Sequence, residues 1–249
     1  MKHSLKKVVI FGAYSDIAKA LLWKLCEDQT EFLLVGRHQK PLDDLSNALQ
    51  KRGAPLVITK TCDLSNIQEH QTLFDFIETQ FYGYDTAFIA YGNLPDQHQC
   101  ENNPEHVLEP LLTNYVSACS ILLFLAKNMC IRKHGVIGVI TSVAGDLGRK
   151  TNYVYGSSKG GLSIFLEGLR SRLVQYNIDI VDIRPGFVDT QMTSQFSKGF
   201  LYSTPQAIAP RIFSALKQGR AVVYVPFYWK WILLALKCVP RGLLSRLPI

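Results

Sequence analysis

The chain has 249 residues, 47% of them apolar and 19% charged, with 27 Lys and Arg against 20 Asp and Glu. This composition excludes a disordered chain and supplies enough apolar material for the core of one large domain. The net charge of +7 admits a nucleic acid, an anionic cofactor or a membrane surface, and only its placement can choose among them.

Lys2, Lys6 and Lys7 precede an apolar run, Val8–Ala13, that Tyr14, Ser15 and Asp16 interrupt too early for a secretory signal. Within it, Lys7–Phe11 reads as a first strand. It is apolar throughout, as a strand buried on both faces of a parallel sheet would be. Gly12-Ala13-Tyr14-Ser15-Asp16-Ile17-Ala18 then leads into a helix opening near Asp16. Such a turn aims backbone N–H groups and a helix N-terminus at a pyrophosphate. Gly12 fills one place of a three-glycine fingerprint, Asp16 and Ala18 the others, and Asp16 serves equally well as a helix cap.

The second strand, Phe32–Val35, runs into Gly36-Arg37-His38 and a helix near Pro41. A guanidinium fork suits a phosphate where a carboxylate would suit ribose hydroxyls, which favours NADP(H) over NAD(H). The third strand, Leu56–Lys60, ends near Cys62-Asp63-Leu64. There Asp63 is placed to meet an adenine amino group, or to cap the next helix near Asn66. Thr86–Ala90 is the fourth strand, with Gly92 just beyond it. A long helix from Pro104 leads to the fifth strand, Val136–Ser142, and a further helix opens near Tyr153. Ile178–Ile183 is the sixth strand and Ala221–Val225 the seventh, with a helix from Pro205 between them. Gln191–Ser203 is a mixed polar and aromatic loop over the expected substrate side. Alternating strands and helices without a repeat or linker predict one doubly wound α/β domain over residues 1–226, its sheet mainly parallel with helices on both faces. Residues 227–249 form a basic, aromatic extension.

The chemistry gathers on Ser142, Tyr155 and Lys159. Tyr155 and Lys159 stand four apart, on one helix face. An ammonium beside a phenol favours the phenolate and lowers the tyrosine pKa, suiting it to exchange a proton with a carbonyl or alcohol. Ser142, thirteen residues upstream at a strand end, adds a second hydrogen bond to the same oxygen.

With these residues the sequence resembles the short-chain dehydrogenase/reductase family over nearly its whole length. The resemblance implies a Rossmann-like fold and a catalytic set of Asn114, Ser142, Tyr155 and Lys159. In that set Tyr155 is the proton donor, Lys159 lowers its pKa and binds the nicotinamide ribose, Ser142 orients the carbonyl, and Asn114 supports a proton-relay water. It also implies cofactor contacts from Gly12, Tyr14, Ser15, Asp16, Ile17, Arg37, Asp63, Leu64 and Gly92. Tyr155, Lys159, Pro185, Gly186, Val188 and Thr190 complete that set, with the Val188 backbone and Thr190 hydroxyl on the carboxamide. Ala90-Tyr91-Gly92 keeps only the glycine of the family's Asn-Ala-Gly. Asn152–Lys159 and the ending Val239-Pro240-Arg241…Arg246-Leu247-Pro248-Ile249 are similar to decaprenylphosphoryl-2-keto-ribose reductases, which implies a lipid-linked keto-sugar. A fatty-acyl, steroid or other lipid ketone, or a nucleotide-sensing protein without turnover, stands as the alternative. The family resemblance also implies a homo-oligomer.

Six cysteines, at 26, 62, 100, 119, 130 and 238, form no C-x-x-C pair. They read as free thiols in a reducing, cytoplasmic setting, with no metal. Beyond Phe227 the chain reads Phe-Tyr-Trp-Lys-Trp-Ile-Leu-Leu-Ala-Leu, followed by Lys237, Arg241 and Arg246. The run is too short to span a bilayer. With Lys230, Lys237 and Arg241 on one helical side it suits peripheral contact with a membrane surface, or a helix packed on the sheet or on a partner subunit. No basic stripe with interleaved aromatics lies elsewhere, so nucleic acid is not the expected partner.

Overall fold

The computed structural model describes residues 2–244. Seven strands, β1 (Lys7–Phe11), β2 (Glu31–Gly36), β3 (Val57–Thr61), β4 (Thr86–Ile89), β5 (Gly135–Ile140), β6 (Ile178–Pro185) and β7 (Val222–Val225), form one sheet in the order β3-β2-β1-β4-β5-β6-β7. Every pairing is parallel, so the mainly parallel sheet expected is parallel throughout. The central strands read correctly because both their faces are buried. Val8 and Ile10 enter one core cluster, Val9 and Phe11 the other.

Helices α1 (Asp16–Cys26), α2 (Gln39–Lys51), α3 (His70–Gln80), α4 (Ser117–Arg132), α5 (Tyr153–Leu173), α6 (Pro205–Gln218) and α7 (Trp229–Cys238) connect or follow the strands. Leu21 of α1, Leu45 of α2 and Ile212 of α6 pack on one sheet face. Phe74 of α3, Leu122 of α4 and Leu166 of α5 pack on the other. The long helix expected from Pro104 is present as a continuous helical stretch, Pro104–Arg132, that ends in α4, and one short helix that the sequence reading lacked, Gln97–Asn102, precedes it. It was legible, since Asp96 caps it by accepting from the N–H groups of His98 and Gln99.

Strand order reverses between β1 and β4. This is the switch point at which open α/β sheets bind ligands beyond the carboxyl ends of their strands. The loops after these two strands touch there. Gly12 has φ +83°, and a Cβ on it would lie 2.7 Å from the Tyr91 Cβ, so both the turn and the approach require glycine.

Candidate active site

Ser142 does not end β5 as expected. The strand stops at Ile140, and Ser142 sits two residues on in extended backbone, capping the turn Val143–Gly145 with its Oγ accepting from Ala144 N–H at 3.0 Å. That turn lies directly on α5. A Cβ on Gly156 would come within 2.7 Å of the Ala144 carbonyl oxygen, and one on Gly160 within 2.9 Å of the Gly145 oxygen. Two glycines four apart thus make a bare strip on the helix, and this close approach sets Ser142 against Tyr155 one turn along.

The Tyr155 phenol is pushed up to about 12. Burial is the main cause, opposed by a hydrogen bond from Ser142 and by the charge of Arg149. Lys159 is 3% exposed, its Nζ donates to the Ile140 carbonyl at 3.0 Å, and burial brings its own pKa down to about 8 against the pull of Asp182. Arg149, which the sequence reading passed over, is the cation that acts on the phenol.

Asn114 is buried within a π-helical turn, Leu112–Val116, a distortion that often marks functional helix segments. Its Oδ1 accepts from Asn93 N–H at 2.9 Å and its Nδ2 donates to the Asn93 carbonyl at 2.9 Å, which ties the helix to the loop after β4. A Cβ on Gly92 would lie 2.6 Å from Asn114 Oδ1 and 3.4 Å from Lys159 Nζ. Asn114, Gly92 and Lys159 therefore converge, and the space between them is glycine's alone.

The remaining cofactor candidates border the same edge. Ser15 is the N-cap of α1 without a side-chain bond, and Asp16 is its first residue, so Asp16 is not the cap. Its carboxylate instead pairs with Lys19 at 3.6 Å and accepts from Gln191 N–H at 2.8 Å, pinning the loop after β6 to the turn after β1. Ile17 and Ala18 are buried beneath that turn. Tyr14 lies over Gly36 and accepts from Arg37 N–H at 2.6 Å. The Arg37 side chain is exposed beside Asp63. Asp63 caps no helix. It accepts from Ser65 N–H and Oγ in a tight turn, bonds that hold its carboxyl below the usual range with Arg37 adding to the effect. Leu64 is buried, and its carbonyl accepts from His70 Nε2 at 3.0 Å.

Pro185 ends β6 and Gly186 N–H donates to the Val225 carbonyl at 3.0 Å. Val188 is buried, and its carbonyl accepts from Thr193 Oγ1 at 2.7 Å, while Thr190 N–H donates to Thr193 Oγ1 at 3.1 Å. Within Gln191–Ser203, residues Gln191–Thr193 form a short turn of helix, and Ser203 pairs with Val188. The donor set suits an anionic dinucleotide: the unpaired N–H groups opening α1, the Arg37 guanidinium and the Lys159 ammonium. Asp16, the one misfit, has its charge taken up by Lys19 and Gln191.

A buried ion network braces the loop after β5. Arg184 pairs with Asp182 at 2.7 Å and with Asp146 at 2.5 Å, and Tyr224 OH donates to Asp146 at 2.8 Å. The expected tail helix also reaches the site. Trp229 and Leu233 of α7 are buried against Val143 and Phe187, while Trp231 and Leu234 face outward. The helix ends at Cys238, so Arg241 falls on a separate short helix. Arg246 and the ending through Ile249 lie outside the described residues.

A sequence model described as short chain dehydrogenase matches residues 6–199. An uncharacterized oxidoreductase of Mycobacterium tuberculosis is 34% identical over 241 residues, 97% of this chain and 96% of that one. Another, of Streptomyces coelicolor, is 27% identical over 245 residues, 98% of this chain and 96% of its own. Among solved structures, a variant actinorhodin polyketide ketoreductase with NADPH superposes at a TM-score of 0.80 and 20% identity, covering 92% of this chain and 99% of that one. That likeness bears on the fold alone.

Proposed function

The chain belongs to the short-chain dehydrogenase family as an oxidoreductase, and on that premise we propose that it reduces a ketone to a secondary alcohol with NADPH in preference to NADH. One observation carries the reading: Ser142 and Tyr155 are brought together by the Gly156/Gly160 strip, beside the convergent Asn114, Gly92 and Lys159. Bound NADPH supplies a hydride to the carbonyl carbon. Tyr155 gives its hydroxyl proton to the carbonyl oxygen, and Ser142 donates a second hydrogen bond to that oxygen. The Lys159 ammonium, held near the Ile140 carbonyl, offsets the negative charge the phenol acquires. Asn114 fixes the Asn93 backbone, and with it Gly92, beside Lys159. The turn Gly12–Ile17 would hold the pyrophosphate, Arg37 the 2′-phosphate, Asp63 and Leu64 the adenine, and Pro185–Thr190 the nicotinamide end. Fluorescence titration with NADPH and NADH, followed by NADPH oxidation with a neutral dione such as 2,3-butanedione, tests this reading. A chain that binds neither nucleotide is not such a reductase.

The substrate we propose is a lipid-linked keto-sugar, or failing that another lipid ketone. Support comes from the apolar rim around the cleft. Phe200 is 94% exposed, and Phe196, Phe227, Trp231 and Leu234 are exposed with it. Lys230 and Lys237 on α7 add positive charge, so this face suits peripheral contact with an anionic membrane at the cytoplasmic side, in keeping with six free cysteines. A second apolar face, Leu112, Val116 and Leu123 with Ile164 of α5, supports a homo-oligomer. Sedimentation with and without anionic vesicles reads both properties. A monomer that ignores vesicles contradicts both.

A further inference from the structure

Around the Ser142–Tyr155 pair the protein leaves two polar groups unmatched, and buried polar groups without partners are rare in native folds. Asn152 is the N-cap of α5, yet its side chain caps nothing. Gln97 takes that role, its Oε1 accepting from Val154 N–H at 3.1 Å, and Asn152 Oδ1 is left buried without a hydrogen bond. Arg149 is held in the same turn as Asn152, whose N–H donates to the Arg149 carbonyl at 3.1 Å. Its guanidinium is half-buried and close enough to Tyr155 to act on the phenol, and it pairs with no carboxylate among the described residues. The acid of its own loop, Asp146, is already committed to Arg184 and Tyr224.

We infer that the ketone carries an anionic group, a phosphate or a carboxylate, that pairs with Arg149, while Asn152 takes a hydroxyl of the same molecule. The inference rests on the reductase reading and narrows its substrate class to hydroxylated, anionic ketones. A cation held half out of water without a counter-ion is costly, and a bidentate anion is the partner its fork fits.

The test compares the intact chain with Arg149→Gln and Arg149→Lys at saturating NADPH. Dihydroxyacetone phosphate is paired with dihydroxyacetone, 2-oxobutanoate with 2-butanone, and 2,3-butanedione is included as a neutral reference. The expected result is that Arg149→Gln lowers the anionic-to-neutral ratio of kcat/KM by roughly 10–100-fold, the worth of one charge-assisted bond, with Arg149→Lys in between. Inorganic phosphate should compete with 2,3-butanedione in the parent and lose that effect in Arg149→Gln. The two pairs tell a phosphate site from a carboxylate site. If the dione is reduced but the ratio is the same in both proteins, the anion site is wrong and the reductase stands. If no ketone is reduced, the reductase reading fails and takes the anion site with it. Thermal melting of each variant checks that it is folded.

Discussion

The indole of Trp229 occupies the space a side chain on Gly186 would need: a Cβ there would lie 1.7 Å from Nε1 and 2.2 Å from Cδ1. The C-terminal helix is therefore seated on the segment after β6 that would border the nicotinamide, and glycine is what lets it sit. Gly186→Ala is expected to overpack this contact at a cost of about 1–3 kcal/mol, and to lower turnover by shifting Phe187 and Val188. Trp229→Ala should cost about 3–5 kcal/mol through the cavity it leaves. Because the two residues share one space, the double variant should fall well short of the sum of the singles. Urea unfolding of the four proteins reads this coupling, and strict additivity would contradict it.

Tyr155→Phe removes only a hydroxyl, one whose acidity burial dominates. Turnover should drop by about 10²–10⁴-fold, the usual contribution of a positioned acid. NADPH affinity and melting temperature should hardly move. Loss of nucleotide binding along with activity would mean that Tyr155 supports the fold of the site and not the proton transfer.

Arg37 is exposed, and its charge acts on the Asp63 carboxyl beside it. Arg37→Ala should weaken NADPH binding by about 10–100-fold while leaving NADH binding nearly as it was, because the guanidinium has a phosphate to meet in one nucleotide only. Equal loss for both, read by fluorescence titration, would remove the basis for the NADPH preference.

Much of this architecture was legible because it is written locally. Runs such as Val8–Phe11 and Val136–Ile140 are apolar on both faces and allow no other place than a covered parallel sheet. The i, i+4 pair Tyr155 and Lys159 lies on one helix, so its spacing already is its geometry. What stayed hidden depends on residues distant in sequence. Asp16 looked like a flawed glycine position until Gln191, 175 residues away, was seen to donate to it. Asp146 carried no signal in a polar loop, because its partners Arg184 and Tyr224 come from other strands. The π turn at Asn114 is a backbone register that no side-chain pattern announces. Ser142 was placed in a strand since its neighbours are β-formers, although its side chain caps the turn that follows.

The Asp182–Arg184–Asp146–Tyr224 network gives that hidden layer a measurable weight. Asp146→Ala leaves the buried Arg184 with one acid instead of two and should cost roughly 3 kcal/mol. It also releases the loop that carries Arg149 toward Tyr155, so turnover should fall by more than the loss of stability explains at a temperature where the variant is fully folded. Chemical denaturation and kcat measured together distinguish this from a purely structural brace.

Lys159 shows stability given up for the site. It is buried, and its pKa is brought from an ordinary 10.5 down to about 8, chiefly by desolvation. Below about pH 8 both the folded and unfolded chains carry the proton, and the full cost of the buried ammonium stands. Between about 8 and 10.5 the unfolded chain holds a proton that the folded chain has released, so this residue's contribution to stability improves as pH rises. Cys62, pushed up to about 12 by burial, and Tyr155 act in the opposite sense above their ordinary 9 and 10, which is why the comparison must be with a variant that shares them. Lys159→Met is that variant. At about pH 7 the cofactor-free variant should melt higher than the parent while its turnover is abolished, and the gap in Tm should close as pH is raised toward about 9.5. A gap that is constant across this range would mean that the folded chain keeps Lys159 fully charged, and that the charge is matched by a partner other than Asp182.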